Sequence, residues 1–361
     1  MTSSQPTDTP KIVFVVGAGA SNEVSLPIGE ELKKSIARAL DIRFGRGTGM
    51  ISGDSLICEA IRIAVAKPGS PSRDINPHLH AAWLIRDAMP LARSIDNFID
   101  AHYDDKKVEL CGKLAIVRAI LEAESNSSLY INSNNSYNKL NFDQSGNTWL
   151  NSFMRLLTDG CRLPDLEKRL SSVAFVIFNY DRCVEHYLYH AIQKYYSLSA
   201  SDAASLLQHL EIYHPYGTVG SLPWQGPSNI IEFGETPRSE QLLHLAGQIK
   251  TFTEGTNESS SDIGAIRRNI HNARRIIFLG FAFHRMNLDL LMPWPTPPET
   301  KYEKRMFATA MGISASDVES IKPEICNRSS SASMSHICIR NDLTCSGLLR
   351  EYGRSLSLFG V

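Results

Sequence analysis

The chain lacks several features that would assign it to a class at once. Its sequence has no run approaching the roughly 20 apolar residues that a membrane-spanning helix needs. The start, MTSSQPTDTP, has neither the basic end nor the apolar stretch of a signal peptide. The seven cysteines form no Cys-x-x-Cys pair, so a disulfide framework and a zinc ribbon are both disfavoured. We therefore expect a cytoplasmic protein without a metal module.

The chain also lacks a large net charge of either sign. The 361 residues include 37 basic and 38 acidic ones, which gives a formal charge of −1. No overall field then attracts nucleic acid or an anionic membrane, and direct nucleic-acid binding by this chain alone is not expected. With 43% apolar residues, the composition is that of a globular protein with a large core, in one domain with an insertion or in two domains.

Short apolar runs alternate with helical patterns along most of the chain. Strand signals occur at 11–16, 173–178, 211–214, 229–233, 275–280, 305–309 and 336–340. The clearest helical patterns are at 29–40, 107–124, 182–195 and 344–355. This alternation predicts an α/β fold with a Rossmann-like, mostly parallel sheet and helices on both faces.

The domain organisation follows from where the motifs and strand signals stop. Residues 1–10 form a polar tail, which we expect to be flexible, and the Rossmann-like domain is expected over 11–361. From about 45 to 170 the pattern is mainly helical and carries no motif, which predicts a helical insertion. Inside it, the Asn- and Ser-rich stretch 125–147 is rich in turn formers, and we expect an exposed loop there.

A glycine-rich turn follows the first strand directly. The sequence GAGAS places Gly17, Ala18, Gly19 and Ser21 between that strand and a helix. Backbone N–H groups of such a turn can approach a phosphate, which indicates a nucleotide or dinucleotide site. Asn22 stands where a third glycine is usual, so a tight turn without a ligand stays an alternative.

Two polar motifs follow later strands. Asn179 and Asp181 lie in the turn after the strand at 173–178, and His214 ends the strand signal at 211–214 and begins the sequence HPYG. Ligands of open α/β sheets bind at the carboxyl ends of strands, and a histidine there can act as a general base near neutral pH. The alternatives are an Asn/Asp cap of the next helix and a histidine that only hydrogen-bonds within a turn.

A last motif begins at Gly280, after the strand at 275–280, and includes His284 and Asn287. A glycine there permits close backbone approach, whereas capping of the next helix is the plainer interpretation. All four motifs lie at carboxyl ends of predicted strands. One crevice could therefore collect them.

In this order the motifs resemble those of the sirtuin superfamily, specifically the divergent bacterial sirtuin-like domains of anti-phage defence systems. The residues that carry the resemblance are GAGAS at 17–21 with Leu26 and Pro27 downstream, FNYD at 178–181, HPYG at 214–217 and GFAFHRMN at 280–287. They span nearly the whole chain, and their combination is more specific than any one motif.

The resemblance implies a single NAD+ site. It places four small residues at the pyrophosphate: Gly17, Ala18, Gly19 and Ser21. Asn179 is implied to hold the ribose and the attacking water, Asp181 the nicotinamide carboxamide, and His214 to be the catalytic histidine at the ribose hydroxyls. Gly280 is placed near the adenosine half, whereas His284 and Asn287 have no sirtuin counterpart.

Two departures narrow the implied function. Deacylating sirtuins carry paired Cys-x-x-Cys motifs and an Asp-Phe-Arg after the glycine turn, whereas this chain has no such pair and reads Gly29-Glu30-Glu31. The resemblance therefore implies an NAD+ hydrolase, without a metal, that depletes the cofactor in defence. It further implies a homo-oligomer with a HerA-type ATPase partner. An NAD+-dependent deacylase, an ADP-ribosyltransferase and a non-catalytic subunit that senses NAD+ or ADP-ribose stay open.

Overall fold

The computed structural model describes residues 11–47, 49–66, 73–132, 135, 138–251, 254, 262–293, 303–329 and 331–358. The predicted tail at 1–10 lies outside these residues. Within the ranges described, no helix combines the length and apolar character needed to cross a bilayer.

The elements of the described chain alternate as expected for an α/β protein. The first half contains β1 (Lys11–Val16), α1 (Ala18–Ser21), α2 (Gly29–Leu40), β2 (Arg43–Gly45), β3 (Gly49–Ser52), α3 (Ser55–Val65), α4 (Asn76–Ala88), α5 (Ile95–Ala101), α6 (Lys106–Asn126), α7 (Trp149–Thr158) and α8 (Leu166–Ser171). The second half contains β4 (Val173–Ile177), α9 (Cys183–Tyr196), α10 (Ala200–Leu207), β5 (Glu211–Tyr213), α11 (Ser239–Ala246), α12 (Ile263–Asn272), β6 (Ala273–Leu279), α13 (Arg285–Leu291), β7 (Arg305–Thr309), α14 (Ala315–Arg328), β8 (Ile337–Arg340), α15 (Cys345–Glu351) and α16 (Gly353–Leu356).

The main sheet is parallel throughout and has the order β5-β4-β1-β6-β7-β8. This confirms the predicted α/β class and the Rossmann-like sheet. Strand order reverses between β1 and β6, and open sheets of this kind bind ligands beyond the carboxyl ends of the strands at such a point. The glycine-rich turn after β1 and Gly280 after β6 lie on the two sides of it.

The sheet separates two apolar cores. Val13 and Val15 of β1 face one core with α2, α3 to α6, α11 and α12, whereas Ile12, Phe14 and Val16 face the other with α7, α9, α10 and α15. Because both faces are covered, a central strand has no solvated side, and this explains the unbroken apolar runs in β1 and β4.

The segment between α2 and β4 adds no strand to the main sheet over its described residues. It contributes the small antiparallel hairpin β2–β3, which the sequence patterns had not predicted, and the helices α3 to α8. Helix α6 is its longest and is buried over most of its length. It packs against α2, α4 and α11 over one face of the sheet.

One sequence expectation is wrong, and a second is only partly met. The segment 229–233 is not a strand; Ile230 makes only an isolated bridge with Ser221, and the carbonyls of Ile231 and Glu232 accept hydrogen bonds from a side chain instead. The stretch 125–147 is not simply an exposed loop, because Leu129 is fully buried in the second core. Some of its polar side chains bond nearby backbone groups: Ser127 Oγ donates to Glu124 O at 2.8 Å, and Asn141 Oδ1 accepts from Asp143 N–H at 3.0 Å.

A buried ion pair joins the helical segment to the sheet. Arg182, at the start of α9, donates from its backbone N–H and from Nε to Glu124 Oε1 of α6, both at 3.1 Å, and from Nη2 to Oε2 at 2.5 Å. The side chains of Arg182 and Glu124 are 1% and 0% exposed. The guanidinium also donates to the carbonyls of Ile231 and Glu232, and Gly234 N–H donates to Glu124.

Replacing Glu124 with leucine is expected to lower the free energy of unfolding by about 3–5 kcal/mol, because it leaves the buried Arg182 cation unpaired. Urea denaturation measures the effect. The matched control is Glu122→Leu, an exposed position of the same helix, which should change stability by less than about 0.5 kcal/mol. Equal effects of the two substitutions would contradict the importance of the pair.

Candidate functional site

The four sequence motifs meet at the carboxyl edge of the sheet. The strands β5, β4, β1 and β6 are neighbours in that order, so the turns that follow them are adjacent. These turns carry His214, Asn179, the glycine-rich turn and Gly280. The expectation of a common location is confirmed by hydrogen bonds that connect the turns directly.

The turns after β1 and β6 interlock without side chains between them. Gly17 N–H donates to Leu279 O at 2.9 Å, and Gly19 N–H donates to Gly280 O at 3.1 Å. A Cβ on Gly17 would lie 2.5 Å from Gly280 O, and one on Gly280 would lie 2.0 Å from the nitrogen of Ala20. Gly280 also has φ +57°, a left-handed conformation that favours glycine.

Ser21 connects the glycine-rich turn to the turn after β4. Its hydroxyl accepts a hydrogen bond from Asn179 Nδ2 at 2.9 Å and donates one to Asp181 Oδ2 at 2.8 Å. Asp181 Oδ1 accepts from Cys183 N–H at 3.1 Å, so the carboxylate also caps the first turn of α9. Ser21 and Asp181 are buried, whereas Ala18 and Gly19 of the same turn are exposed.

His214 is held from both sides of its ring. Nδ1 lies 3.1 Å from the carbonyl oxygen of Asn179, and Nε2 lies 2.7 Å from Glu185 Oε1. Burial opposes the charged form, but the Glu185 carboxylate and the two hydrogen bonds outweigh it and raise the pKa of His214 above 6.5. The protonated ring can donate to both neighbours at once. Oε2 of Glu185 is buried with no hydrogen-bond partner in the described chain.

Three aromatic rings pack against one another beside these polar groups. The rings of Phe178, Tyr216 and Phe281 pack with centroid distances of 5.7 and 5.1 Å. Tyr216 donates to Asn287 Oδ1 at 2.6 Å, which connects the turn after β5 to α13 across the two central strands. This gives Asn287, for which the sequence indicated no role, a contact within the site region.

The helical segment reaches the same region through α5. The hydroxyl of Tyr180, next to Asn179, donates to Asp96 of that helix. Desolvation raises the pKa of the Asp96 carboxyl, and the Tyr180 hydrogen bond partly offsets this. A helix of the segment that carries no motif therefore contributes a carboxyl group beside the candidate site.

The glycine-rich turn after β1 is also held by contacts on the opposite face of the sheet. Trp149 Nε1–H donates to Ala20 O at 3.0 Å. The carboxylate of Glu23 accepts from Trp149 N–H at 2.6 Å and from Ser346 N–H at 2.8 Å, so it caps α7 and α15 together. Negative charge at helix amino termini is stabilising, and here it joins three distant parts of the chain beside the glycine-rich turn.

The structure brings every predicted site residue to this edge, although their roles stay predictions. Sequence patterns missed Glu185, Tyr216 and Asp96 as partners. Glu185 had a local signal, since it lies four residues after Asp181 in the first turn of a helix, whereas Asp96 had none. Within the described ranges, no three His, Cys, Asp or Glu side chains are grouped as metal ligands would be.

Comparison with known proteins finds no match: no family model fits the sequence, and no curated protein is similar to it. The sirtuin-like motifs therefore remain a resemblance, and the chain is assigned to no family. What the structure shows is that the motifs are neighbours in space: Ser21 and Asp181, 160 residues apart in the sequence, share a hydrogen bond.

Replacing Gly280 with alanine is expected to destabilise the fold by about 2–5 kcal/mol. Overpacking costs about 1–3 kcal/mol, and a left-handed backbone costs a residue with a Cβ about 1–2 kcal/mol. The urea midpoint reports the change. Gly353→Ala is the control, because an added Cβ there meets nothing within 4 Å; a Gly280→Ala protein as stable as this control would show that the turns do not interlock.

The pairing of His214 with Glu185 predicts a pH effect of known sign. Because the folded-state pKa of His214 is raised above 6.5, its stabilising contribution is complete below pH 6.5 and is lost as the pH rises through the folded-state value. The Glu185→Gln substitution removes the carboxylate that raises the pKa of His214 but leaves the burial that lowers it. The pKa of His214 should therefore fall. NMR titration of the His214 ring measures this, with the exposed His209 as internal reference; an unchanged His214 titration would refute the pairing.

Proposed function

We propose that this protein is an NAD+ glycohydrolase, which uses water to cut the bond between nicotinamide and ribose. The observation that carries the proposal is the hydroxyl of Ser21, which joins the glycine-rich turn to both Asn179 and Asp181. Binding of a nucleotide requires only the turn. The adjacent amide, carboxylate and imidazole are the groups that a hydrolytic reaction needs in addition.

Substrate binding is proposed at the switch point of the sheet. Ala18 and Gly19 are exposed there. Because the Gly17 and Gly19 N–H groups already donate to Leu279 O and Gly280 O, we propose that the pyrophosphate approaches the backbone at Ala18. The contact between Gly17 and Gly280 leaves no room for a Cβ on either residue. A dinucleotide can then extend from β6, on the adenosine side, to β4 and β5, on the nicotinamide side.

In the proposed mechanism, separate residues act on the attacking water, the departing nicotinamide and the released proton. Loss of nicotinamide produces a ribosyl oxocarbenium ion, which needs electrostatic support and an oriented water. Asn179 orients the water, and Asp181 contacts the departing carboxamide. Water adds to the ribose carbon and releases a proton, which neutral His214 accepts directly or through a ribose hydroxyl. The products are ADP-ribose, nicotinamide and a proton.

The hydrogen bonds of His214 set a condition on this chemistry. Both ring nitrogens are engaged, by Asn179 O and Glu185, so a substrate hydroxyl must replace the Asn179 carbonyl at Nδ1. The ring must also be neutral to accept a proton. Hydrolysis is therefore expected to increase as the pH rises through the raised pKa of His214.

The same engagement of His214 favours a second candidate function. A subunit that senses NAD+ or ADP-ribose without cleaving it needs His214 and Asp181 only as structural groups, and both are fully hydrogen-bonded within the protein. A deacylase or an ADP-ribosyltransferase would use the same cleavage with an acceptor other than water.

The resemblance to defence proteins supports a wider proposal. The chain would deplete NAD+ after phage infection, as a homo-oligomer with a HerA-type ATPase partner. The assay for hydrolysis is therefore performed both on the isolated chain and after addition of the product of the neighbouring gene.

Asn179→Ala and His214→Ala are each expected to lower nicotinamide release about a hundredfold or more, the usual contribution of an oriented acid–base group. Affinity for NAD+ should change little, since both groups act mainly on the transition state. Nicotinamide and ADP-ribose are measured by chromatography, and NAD+ binding by calorimetry. His209→Ala is the matched control, an exposed histidine before β5.

Three outcomes would contradict the proposal. Near-normal hydrolysis by a folded His214→Ala protein would exclude the proposed mechanism. NAD+ binding by the wild type without nicotinamide release, with and without the partner, would favour the sensing function. Acyl transfer or modification of a protein in place of ADP-ribose release would identify one of the transferase alternatives.

A further inference from the structure

A small cationic cavity lies at the amino edge of the sheet, opposite the candidate site. It is bounded by α12, the end of α13, the end of α14 and the residue before β7. We call it the amino-edge cavity. Its polar lining residues are Arg267, His271, Lys304, Arg328 and Ser329, and the remaining lining is aliphatic or proline. No carboxylate lines it within the described chain.

Lys304 supplies the cavity with a positive charge that has no counter-charge among the described residues. The residue is 3% exposed, and no described group forms an ion pair or a side-chain hydrogen bond with it. Burial alone lowers the pKa of its ammonium to about 8. A buried charge is costly unless it is paired, so this position suits a cation whose partner is a ligand.

Ser329 adds a second unsatisfied group. It is 8% exposed, and its Oγ has no hydrogen-bond partner in the described chain. Buried hydroxyls are normally hydrogen-bonded. A donor hydroxyl and an ammonium that both lack partners in one cavity are complementary to an anion with several acceptor oxygens.

The other cations of the cavity differ in how far they are neutralised. Arg328 is paired with Asp289 at 2.7 Å and with Glu324 at 3.0 Å, so its charge is largely balanced from outside the lining. Arg267 donates from Nε to Leu290 O at 3.0 Å, a neutral acceptor. Burial and the charge of Lys304 lower the pKa of His271, which keeps this ring neutral more readily. The excess charge therefore comes mainly from Lys304.

We propose that the amino-edge cavity binds a phosphate-type oxyanion, either inorganic phosphate or the terminal phosphoryl group of a small metabolite. Its volume of about 70 Å³ is about twice the roughly 30 Å³ that a water occupies in the liquid. Sites for whole organic ligands measure about 300 Å³ or more. The cavity therefore holds one compact ion or group, and this site is separate from the proposed NAD+ site.

The test measures the stability of the full chain against phosphate concentration, in a phosphate-free buffer with sodium chloride keeping the ionic strength constant. A ligand that binds only the folded state raises the unfolding temperature with a saturable dependence. In Lys304→Met the apparent dissociation constant should increase about tenfold or more, the loss expected for one charge-assisted hydrogen bond. Ser329→Ala should weaken binding less, by about threefold.

The control is Lys168→Met, which removes an exposed lysine of α8 and should leave the phosphate response unchanged. AMP is titrated in parallel: binding of AMP that depends on Lys304 identifies a phosphoryl group as the ligand, and binding of phosphate alone identifies the free ion. A chloride response equal to the phosphate response, or a phosphate response unchanged in both Lys304→Met and Ser329→Ala, would overturn the proposal.

Discussion

The buried ion pair between Arg182 and Glu124 fixes the turn on which the candidate site depends. Arg182 follows Asp181 directly and lies three residues after Asn179, so its backbone position sets theirs. Glu124 holds both the backbone N–H and the guanidinium of Arg182. Removing one partner of a buried ion pair is costly. The helical segment contributes no motif, but through Glu124 it helps to hold the turn of the candidate site in position.

Two kinds of contact maintain the site around that turn. Close backbone contact without side chains, between Gly17 and Gly280, sets the positions of the turns after β1 and β6. Buried polar contacts then connect these turns to those after β4 and β5, through Ser21 and His214. The first kind is rigid and insensitive to pH. The second includes an imidazole whose charge depends on Glu185, so the candidate site combines a side fixed by backbone contacts with a titratable side.

The sheet was predictable because the strands of a parallel sheet covered on both faces are apolar throughout. The common edge of the motifs was predictable because each motif directly follows a strand. The failures have a different cause. The apolar run at 229–233 resembles a strand, but the Arg182 side chain donates hydrogen bonds to two of its carbonyl groups, which a strand would use for sheet pairing. Arg182 lies 49 positions before Ile231, so the local sequence does not reveal this contact. The structural roles of Glu124, Asp96 and Lys304 likewise depend on residues that are distant in the sequence.

The interlocked glycines have a consequence for the synthesis of the chain. The turn at Gly17 emerges from the ribosome first, but the backbone that packs against it belongs to Gly280, and the chain has 361 residues. Contacts of such large sequence separation form late, because a long loop must close before they contribute. An unfinished chain that ends before β6 therefore has all of Asn179, Asp181 and His214 but lacks the backbone against which the glycine-rich turn packs.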